Sequence, residues 1–364
     1  MERFNYHFEP NYGWINDPNG VIQFNGQYHV FFQHNPFAPK WDKMHWGHAI
    51  SDDLIHWTQT VNALHPDMYY ENGEGCYSGS AIEKDGKLYV FYTGASKELK
   101  QTQCVAVSED GLRFEKYKNN PVLMHDESRD DGNFRDPKIL KYNDRYYMVT
   151  GAAQGEVGRV LLFTSEDLLH WEFVNVLFET ADFGGTLECP DLFELDGKWV
   201  LMFSAMKPTV APSVFLIGSF DGRSFTPESI CYSEIGRDFY APQTLLDDKG
   251  RRIMHAWYHH WGKELIDGAD TAGALVIPRE LHIKNGRIVN YPVAEAQHLL
   301  RENDEHVEVN GTEIIIRDGE RVVAAYDTRI LGVDEINSVE TLFDKKAVEV
   351  FINHGEASIA QWLI

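Results

Sequence analysis

An all-β fold assembled from five repeated units is predicted by three observations. A Ser-x-Asp-x-x-x-Trp/Phe element recurs with starts at Ser51, Ser108, Ser165 and Ser219, an interval of 54 to 57 residues. Short apolar strands follow a polar turn five times, in N-G-Q-Y-H-V-F-F, D-G-K-L-Y-V-F-Y, N-D-R-Y-Y-M-V-T, D-G-K-W-V-L-M-F and K-G-R-R-I-M-H-A-W. Helical periodicity is almost absent. Units of this length made only of strands predict a five-bladed β-propeller, because one small twisted sheet cannot bury both faces alone and a ring of neighbours can.

Each unit reads as four strands. The Asn-Gly and Asp-Gly pairs mark hairpins, since both residues tolerate positive φ. Upstream of each turn a further short strand starts near Pro18, Gly79, Pro137, Pro190 and Pro242. This strand is the candidate for the innermost one, lining the central channel. The Ser and Asp of the recurrent element read as caps on backbone amides, and its aromatic as packing between blades. The tail differs: T-E-I-I-I-R and A-V-E-V-F-I-N-H-G alternate as strands of a small β-sandwich-like module, with V-A-E-A-Q-H-L-L as a short connecting helix. The division is placed at 1–293 for the propeller and 294–364 for the module, which is too small for an independent core.

Composition bounds the function. The 364 residues are 43% hydrophobic and 13% aromatic, a globular make-up rich in strand formers. A formal charge of −23, from 56 acidic and 33 basic residues, disfavours nucleic acid and anionic membrane. Cys76, Cys104, Cys189 and Cys231 have no paired spacing, which predicts free thiols in a reducing compartment. No apolar leader or 18-residue apolar run is present in the sequence, so the expected location is cytoplasmic. The histidines do not cluster at metal spacing, and neither a metal nor a cofactor is expected.

The repeat register brings three acids together. Asp17, Ser78, Asp136, Cys189 and Ala241 fall at equivalent positions, with Glu188 one step earlier, so carboxylates from units one, three and four approach one another at one mouth of the channel. Glycosidic bonds are cleaved by paired carboxyl groups, one ionised and one able to carry a proton. Asn16, Gln33 and Ser78 offer polar contacts to a sugar. Trp41 and Tyr77 offer flat apolar faces, with Trp46, Tyr240 and Trp257 as further rim candidates. Arg135 supplies a charged contact beside Asp136. Asp191 reads as structural, and Asp238 as either site floor or blade turn.

On its ordered motifs the chain resembles glycoside hydrolase family 32, the β-fructofuranosidases. The motifs are W-I-N-D-P-N-G (14–20), F-Q-H-N-P (32–36), W-G-H-A-I-S-D-D-L-I-H-W (46–57), Y-S-G-S-A (77–81), F-R-D-P (134–137), E-C-P-D-L-F (188–193), F-Y-A-P-Q (239–243) and G-A-L-V-I-P-R-E-L (273–281). The resemblance implies a five-bladed propeller followed by a β-sandwich. It also implies Asp17 as nucleophile, Glu188 as general acid/base and Asp136 as transition-state stabiliser, in a reaction that retains configuration and releases terminal fructose. In such enzymes the two reacting carboxyl groups stand about 5–5.5 Å apart. Of these two, Glu188 is expected to have the higher pKa, since nearby Asp17 and Asp136 disfavour its charged form.

The implied substrates are sucrose, sucrose 6-phosphate or short fructo-oligosaccharides. Fructosyl transfer, or carbohydrate binding without catalysis on the same scaffold, are the alternatives; product analysis separates them. Two departures stand out. Thr271 occupies the place of an aromatic that in the family borders the substrate, with Trp257 and Trp261 of the preceding loop as replacements. The C-terminal module is about half the family's usual length, which bears on stability or on subunit contact in a homo-oligomer. Lys40, Lys43, His45, His259, His260 and Lys263 are candidate partners for a phosphate.

Overall fold

The computed structural model describes residues 2–208, 210–259, 261 and 268–364. Five antiparallel sheets of four strands follow one another along the chain. Their innermost strands are Gly13–Phe24, Gly75–Lys84, Phe134–Tyr142, Leu187–Leu195 and Tyr240–Leu246. These are the five strands expected from the repeat. A two-residue strand, Thr271–Ala272, runs parallel to Gly13–Trp14 and ties the fifth unit to the first.

The turns form where the sequence places them. Asn25-Gly26, Asp85-Gly86, Asn143-Asp144 and Asp196-Gly197 all take positive φ at both residues, the geometry that matches strand twist in a two-residue hairpin. The recurrent Ser-x-Asp element is a cap. Ser51 Oγ accepts from Leu54 N (2.9 Å), and Asp53 Oδ1 accepts from Ile55 N (3.0 Å) and His56 N (2.8 Å). The same pattern repeats at Ser165 and Asp167.

Ring closure is visible in the cores. Phe31 and Trp46 of blade one pack with Val90 and Tyr92 of blade two. Phe91 and Val105 meet Met148 and Leu161 of blade three. Val149 and Leu162 meet Leu201 and Phe203 of blade four. Val200 and Met202 meet Met254 and Ala256 of blade five. Leu245 and Ile253 return to Val30 and Phe32 of blade one. Each blade thus buries both faces against two neighbours, which is what a lone four-stranded sheet lacks.

Two three-stranded sheets follow, one with Val307–Asn310, Glu313–Asp318 and Arg321–Asp327, the other with Val339–Asp344, Ala347–Ile352 and Ala357–Trp362. They share one apolar layer containing Ile314, Ile316, Val348, Val350 and Ile359. The expected connecting helix is only a 3-10 turn, Gln297–Leu299, with none of its residues buried. Leu299 and Leu300 pack on the core beside blade one, but this contact spans a single turn, too short to sustain a longer helix.

Candidate active site

All five innermost strands break register at the same place. The shift falls between Ile15 and Pro18, Tyr77 and Gly79, Arg135 and Lys138, Glu188 and Asp191, and Tyr240 and Gln243. At three of these bulges the kinked residue takes positive φ: Asp136 (61°), Cys189 (47°) and Ala241 (50°). A proline follows each of them. It removes the N–H that a ladder would need, and a bulge leaves that bond unmade anyway. The bulge turns the side chain out of the pleat, so residues that a regular strand would point between blades point to the channel mouth.

Below the bulges the channel is plugged by side chains that link the blades. Gln243 accepts from Val21 N (3.2 Å) and donates to Gly79 O (2.9 Å). Ser80 donates to Pro137 O (2.8 Å) and accepts from Ile139 N (3.0 Å). Asp191 accepts from Thr244 N (2.8 Å) and Oγ1 (2.9 Å) and pairs with Lys138 (3.1 Å). The structural reading of Asp191 therefore holds. Above this floor opens a cavity of about 440 Å³.

Asp17, Asp136 and Glu188 all line that cavity. Asp17 Oδ2 accepts from Ser78 Oγ (2.6 Å), and Oδ1 from Asn16 Nδ2 (3.1 Å). Asn16 is itself fixed by Trp14 Nε1 at 2.6 Å. The Cys189 thiol lies 3.6 Å from Asp17 Oδ2, and burial together with the surrounding carboxylates holds its pKa well up, so it stays a neutral donor. Asp136 Oδ2 accepts from Cys189 N at 2.9 Å. Arg135 grips Glu188 Oε1 through Nε (3.2 Å) and Nη2 (2.8 Å), while Tyr240 donates its hydroxyl to Oε2.

Burial dominates the electrostatics of the two aspartates. Burial pushes Asp136 up to about 7, against the pull of Arg135, and the charges of Glu188 and Asp17 add to the push. Burial raises Asp17 too, opposed by the Ser78 bond and aided by repulsion from Glu188. Glu188 holds two donors, Arg135 and Tyr240. The Arg135 guanidinium spans from Glu188 to Asn133 Oδ1 (3.2 Å) and Gln101 Oε1 (3.3 Å).

Gln33, Trp41, Tyr77, Ser78, Asn16 and Arg135 also line the cavity. Gln33 is held by its Nε2 bond to Cys76 O (3.0 Å), and the Tyr77 hydroxyl donates to Glu74. Several expectations are corrected. Trp257 is 0% exposed and sits behind the wall, in contact with Trp14, Tyr240 and Trp261. Trp46 is equally buried, with Nε1 bonded to Tyr77 O. Both aromatics have large apolar area and fill gaps between blades. Trp261, 52% exposed and stacked on Trp14, joins Trp41 at the cavity. Thr271 lies off the cavity and donates to Glu9.

Asp238 serves neither floor nor blade turn: its carboxylate accepts from Trp362 N (2.7 Å) and Gln361 Nε2 (3.0 Å) of the last strand. His45 and His259 are buried, so they are not poised for a phosphate, and burial lowers His45 to about 4. Lys40 and Lys43 lie outside the cavity lining. His260 and Lys263 lie outside the described residues. Sequence reasoning missed Glu74, Gln101 and Asn133. Asn133 was findable, since strand alternation puts it on the same side as Arg135. Gln101 carried no such signal. Among the described residues no group of His, Cys, Asp and Glu is arranged to hold a metal ion.

A closed five-bladed ring with three carboxylates at one mouth defines a glycoside-cleaving β-propeller. Residues 7–292 match the Glycosyl hydrolases family 32 N-terminal domain, and the chain belongs to that family. It is 34% identical to the raffinose invertase of Escherichia coli, covering 98% of this chain and 88% of the relative. It is 36% identical to a sucrose-6-phosphate hydrolase of Zymomonas mobilis, covering 82% of this chain and 63% of that relative, so the match spans less than two thirds of the latter's length. The solved β-fructofuranosidase of Bombyx mori superposes with a TM-score of 0.87 at 29% identity, covering 100% of this chain and 89% of its own.

Proposed function

We propose that this chain hydrolyses terminal β-D-fructofuranosyl residues with retention, with Asp17 as nucleophile, Glu188 as general acid/base and Asp136 as stabiliser. The observation that carries this is the convergence of three carboxylates from blades one, three and four on one cavity closed at its floor. A plugged channel admits the end of a chain, not its middle, which supports exo action. Relatives named for raffinose, sucrose 6-phosphate and levan support fructosides as the substrate class.

The contacts support each role. Two donors on Asp17 hold its carboxylate in one orientation for attack on C2. Glu188 gives a proton to the departing oxygen as the C2–O bond breaks, then takes one from the water that cleaves the C2–Asp17 ester. Asp136, fixed by Cys189 N, is placed to bind sugar hydroxyls and to face the positive charge that develops on the ring. Gln33, Asn133 and Gln101 add polar contacts, and Trp41 an apolar face.

The preferred substrates are small: sucrose, its 6-phosphate or short fructo-oligosaccharides. Four free thiols support a reducing, cytoplasmic setting. No described helix is long and apolar enough to cross a membrane. We place the propeller boundary at residue 293, just past the last strand of the fifth sheet, which ends at Pro292. The test is kcat/KM for sucrose, sucrose 6-phosphate, 1-kestose, inulin and levan, with the anomer of nascent fructose followed by NMR. First release of the β-anomer with preference for short substrates is expected. First release of the α-anomer would overturn retention, and preference for long polymer would overturn the substrate range.

A further inference from the structure

In the C-terminal module two strand edges are left bare and face one cavity. The chain itself covers much of the second sheet. At its last strand Ser358 N donates to Ser233 O (3.0 Å) and Ile235 N to Ser358 O (3.0 Å). On the opposite edge Thr341 exchanges two backbone bonds with Arg301 (2.8 Å each). Past Arg301 the cover stops. There a cavity of about 520 Å³ opens between the two sheets, walled by Val307 and Val309 of one and by Val339 and Thr341 of the other.

Both walls present unmade backbone bonds. His306 O accepts from Arg317 N (2.8 Å), and bonded pairs alternate with unbonded ones along the hairpin. Val309 therefore lies opposite Ile314 in an unbonded pair. Its N–H and C=O point out of the sheet and have no partner among the described residues. Val339 stands two residues before Thr341, so its backbone groups point the same way and are likewise unpaired among the described residues. The Val309 side chain shares the face of Ile314, which is 0% exposed, yet Val309 is 46% exposed. A bare edge above an uncovered apolar face is a template for another strand.

We propose that this cavity is a docking site for an extended, basic segment of a partner protein, which adds as a strand to the edge at Val309. Charge selects this occupant. The charged side chains of the lining are Glu302 and Asp304, both acidic. Glu302 is exposed and makes no ion pair among the described residues. The whole chain carries −23, so a second copy would bring like charge to like charge, whereas Lys and Arg are attracted. Shape selects an extended chain. Main-chain bonds to a sheet edge supply affinity, and alternate side chains supply specificity. Val307, Val309, Ile336 and Val339 match the apolar members of such a segment, and Glu302 and Asp304 the basic ones. None of these residues lines the carboxylate cavity, so the inference stands apart from the fructosidase reading.

The probe is a labelled peptide, Lys-Val-Lys-Val-Lys-Val-Lys, titrated with the full chain and followed by fluorescence anisotropy. Saturable binding is expected, with none to the same peptide carrying Glu in place of Lys. V309P removes one outward N–H and no bond of its own sheet, so it should weaken binding about fivefold. E302K should weaken it by a similar factor. Both variants should keep a Tm near that of the wild type, since Val309 is half exposed and Glu302 has no ion pair to lose. Equal affinity of wild type, V309P and E302K would overturn the proposal, because attraction to net charge alone would then explain binding. Failure of the lysine peptide to bind, or equal binding of the glutamate peptide, would overturn it too. So would sedimentation of the peptide-free wild type as a dimer that V309P dissociates, since a second copy would then fill the edge.

Discussion

At the channel mouth three carboxylates meet a single guanidinium, Arg135, which bonds Glu188 and attracts Asp136 by charge. At the seam between blade five and the C-terminal strands, Glu234, Asp344 and Glu349 are met by Arg279 and His7. Arg279 is fully buried and bonds Glu349 Oε2 (2.5 Å), Glu234 Oε2 (2.7 Å), Asn290 Oδ1 (2.8 Å) and Ser358 Oγ (2.9 Å). His7 reaches Asp344 at 3.0 Å and Glu349 at 2.7 Å. The seam holds Asp344 down to about 2 and Glu349 below its ordinary value, against burial; Glu234 alone is pushed up by burial. At the mouth, burial and mutual repulsion win, and Asp136 rises to about 7. The difference teaches what each cluster is for. A structural cluster supplies enough cations to keep its charges satisfied. A reacting cluster leaves its acids short of cations, so that substrate and proton can complete them.

The comparison breaks most sharply at Asp17. D17A should lose fructose release by about 10⁴-fold or more, with the circular dichroism spectrum and Tm preserved. Near-normal turnover would remove this cluster from the chemistry.

R279M is the opposite case. It strands Glu349 and Glu234 in the seam and should cost about 3–5 kcal/mol of stability in denaturant titration, while kcat of the folded fraction stays near normal. A loss under about 1 kcal/mol would mean the seam charges are not coupled as the contacts indicate.

D136N sharpens the pH dependence. Asp136 has a folded pKa of about 7, above the unfolded 3.8, so its favourable term is full below about pH 4 and is lost as pH rises through 7. The Asn variant should therefore be more stable than wild type at pH 8, by about 2 kcal/mol, and the gain should vanish near pH 4. A Tm difference that does not change with pH would contradict it.

The smallest effect is expected at His7. Burial lowers its pKa, but Asp344 and Glu349 outweigh this and raise it. Its stabilisation is full below about pH 6.5 and fades as pH rises through the raised value. H7Q should flatten that slope at a cost of about 1 kcal/mol near pH 6. The slope is read from Tm between pH 6 and 9.

The sequence made the ring legible because each blade repeats its turn chemistry: Asn-Gly and Asp-Gly hairpins, and Ser-x-Asp caps at Ser51 and Ser165 that bond the amides expected of them. It made the three acids legible through Pro18, Pro137 and Pro190. What it hid was depth. Trp257 and Trp261 look alike in sequence, yet one fills the gap behind Trp14 and the other faces the cavity, a distinction set by packing of residues distant along the chain. Asp238 was hidden for the same reason, because its partners Gln361 and Trp362 lie 123 and 124 residues away. The partner of Arg135 was hidden as well, since its guanidinium reaches Glu188, 53 residues away, and not its neighbour Asp136.

The kink that recurs in every innermost strand belongs to the blade and not to the acid it carries. It makes five sockets around one rim, of which Asp17 and Asp136 fill two. Cys189 fills a third beside Glu188, Ser78 puts a hydroxyl in the fourth and Ala241 a methyl in the fifth. A side chain changed in a socket alters the rim without altering the ring that presents it. The seam has no such freedom, because each of its charges is a partner to another. New chemistry in this scaffold therefore has a place to begin at the sockets that open on the cavity, those of Asp17, Ser78 and Asp136, whereas Ala241 is packed into the wall behind it.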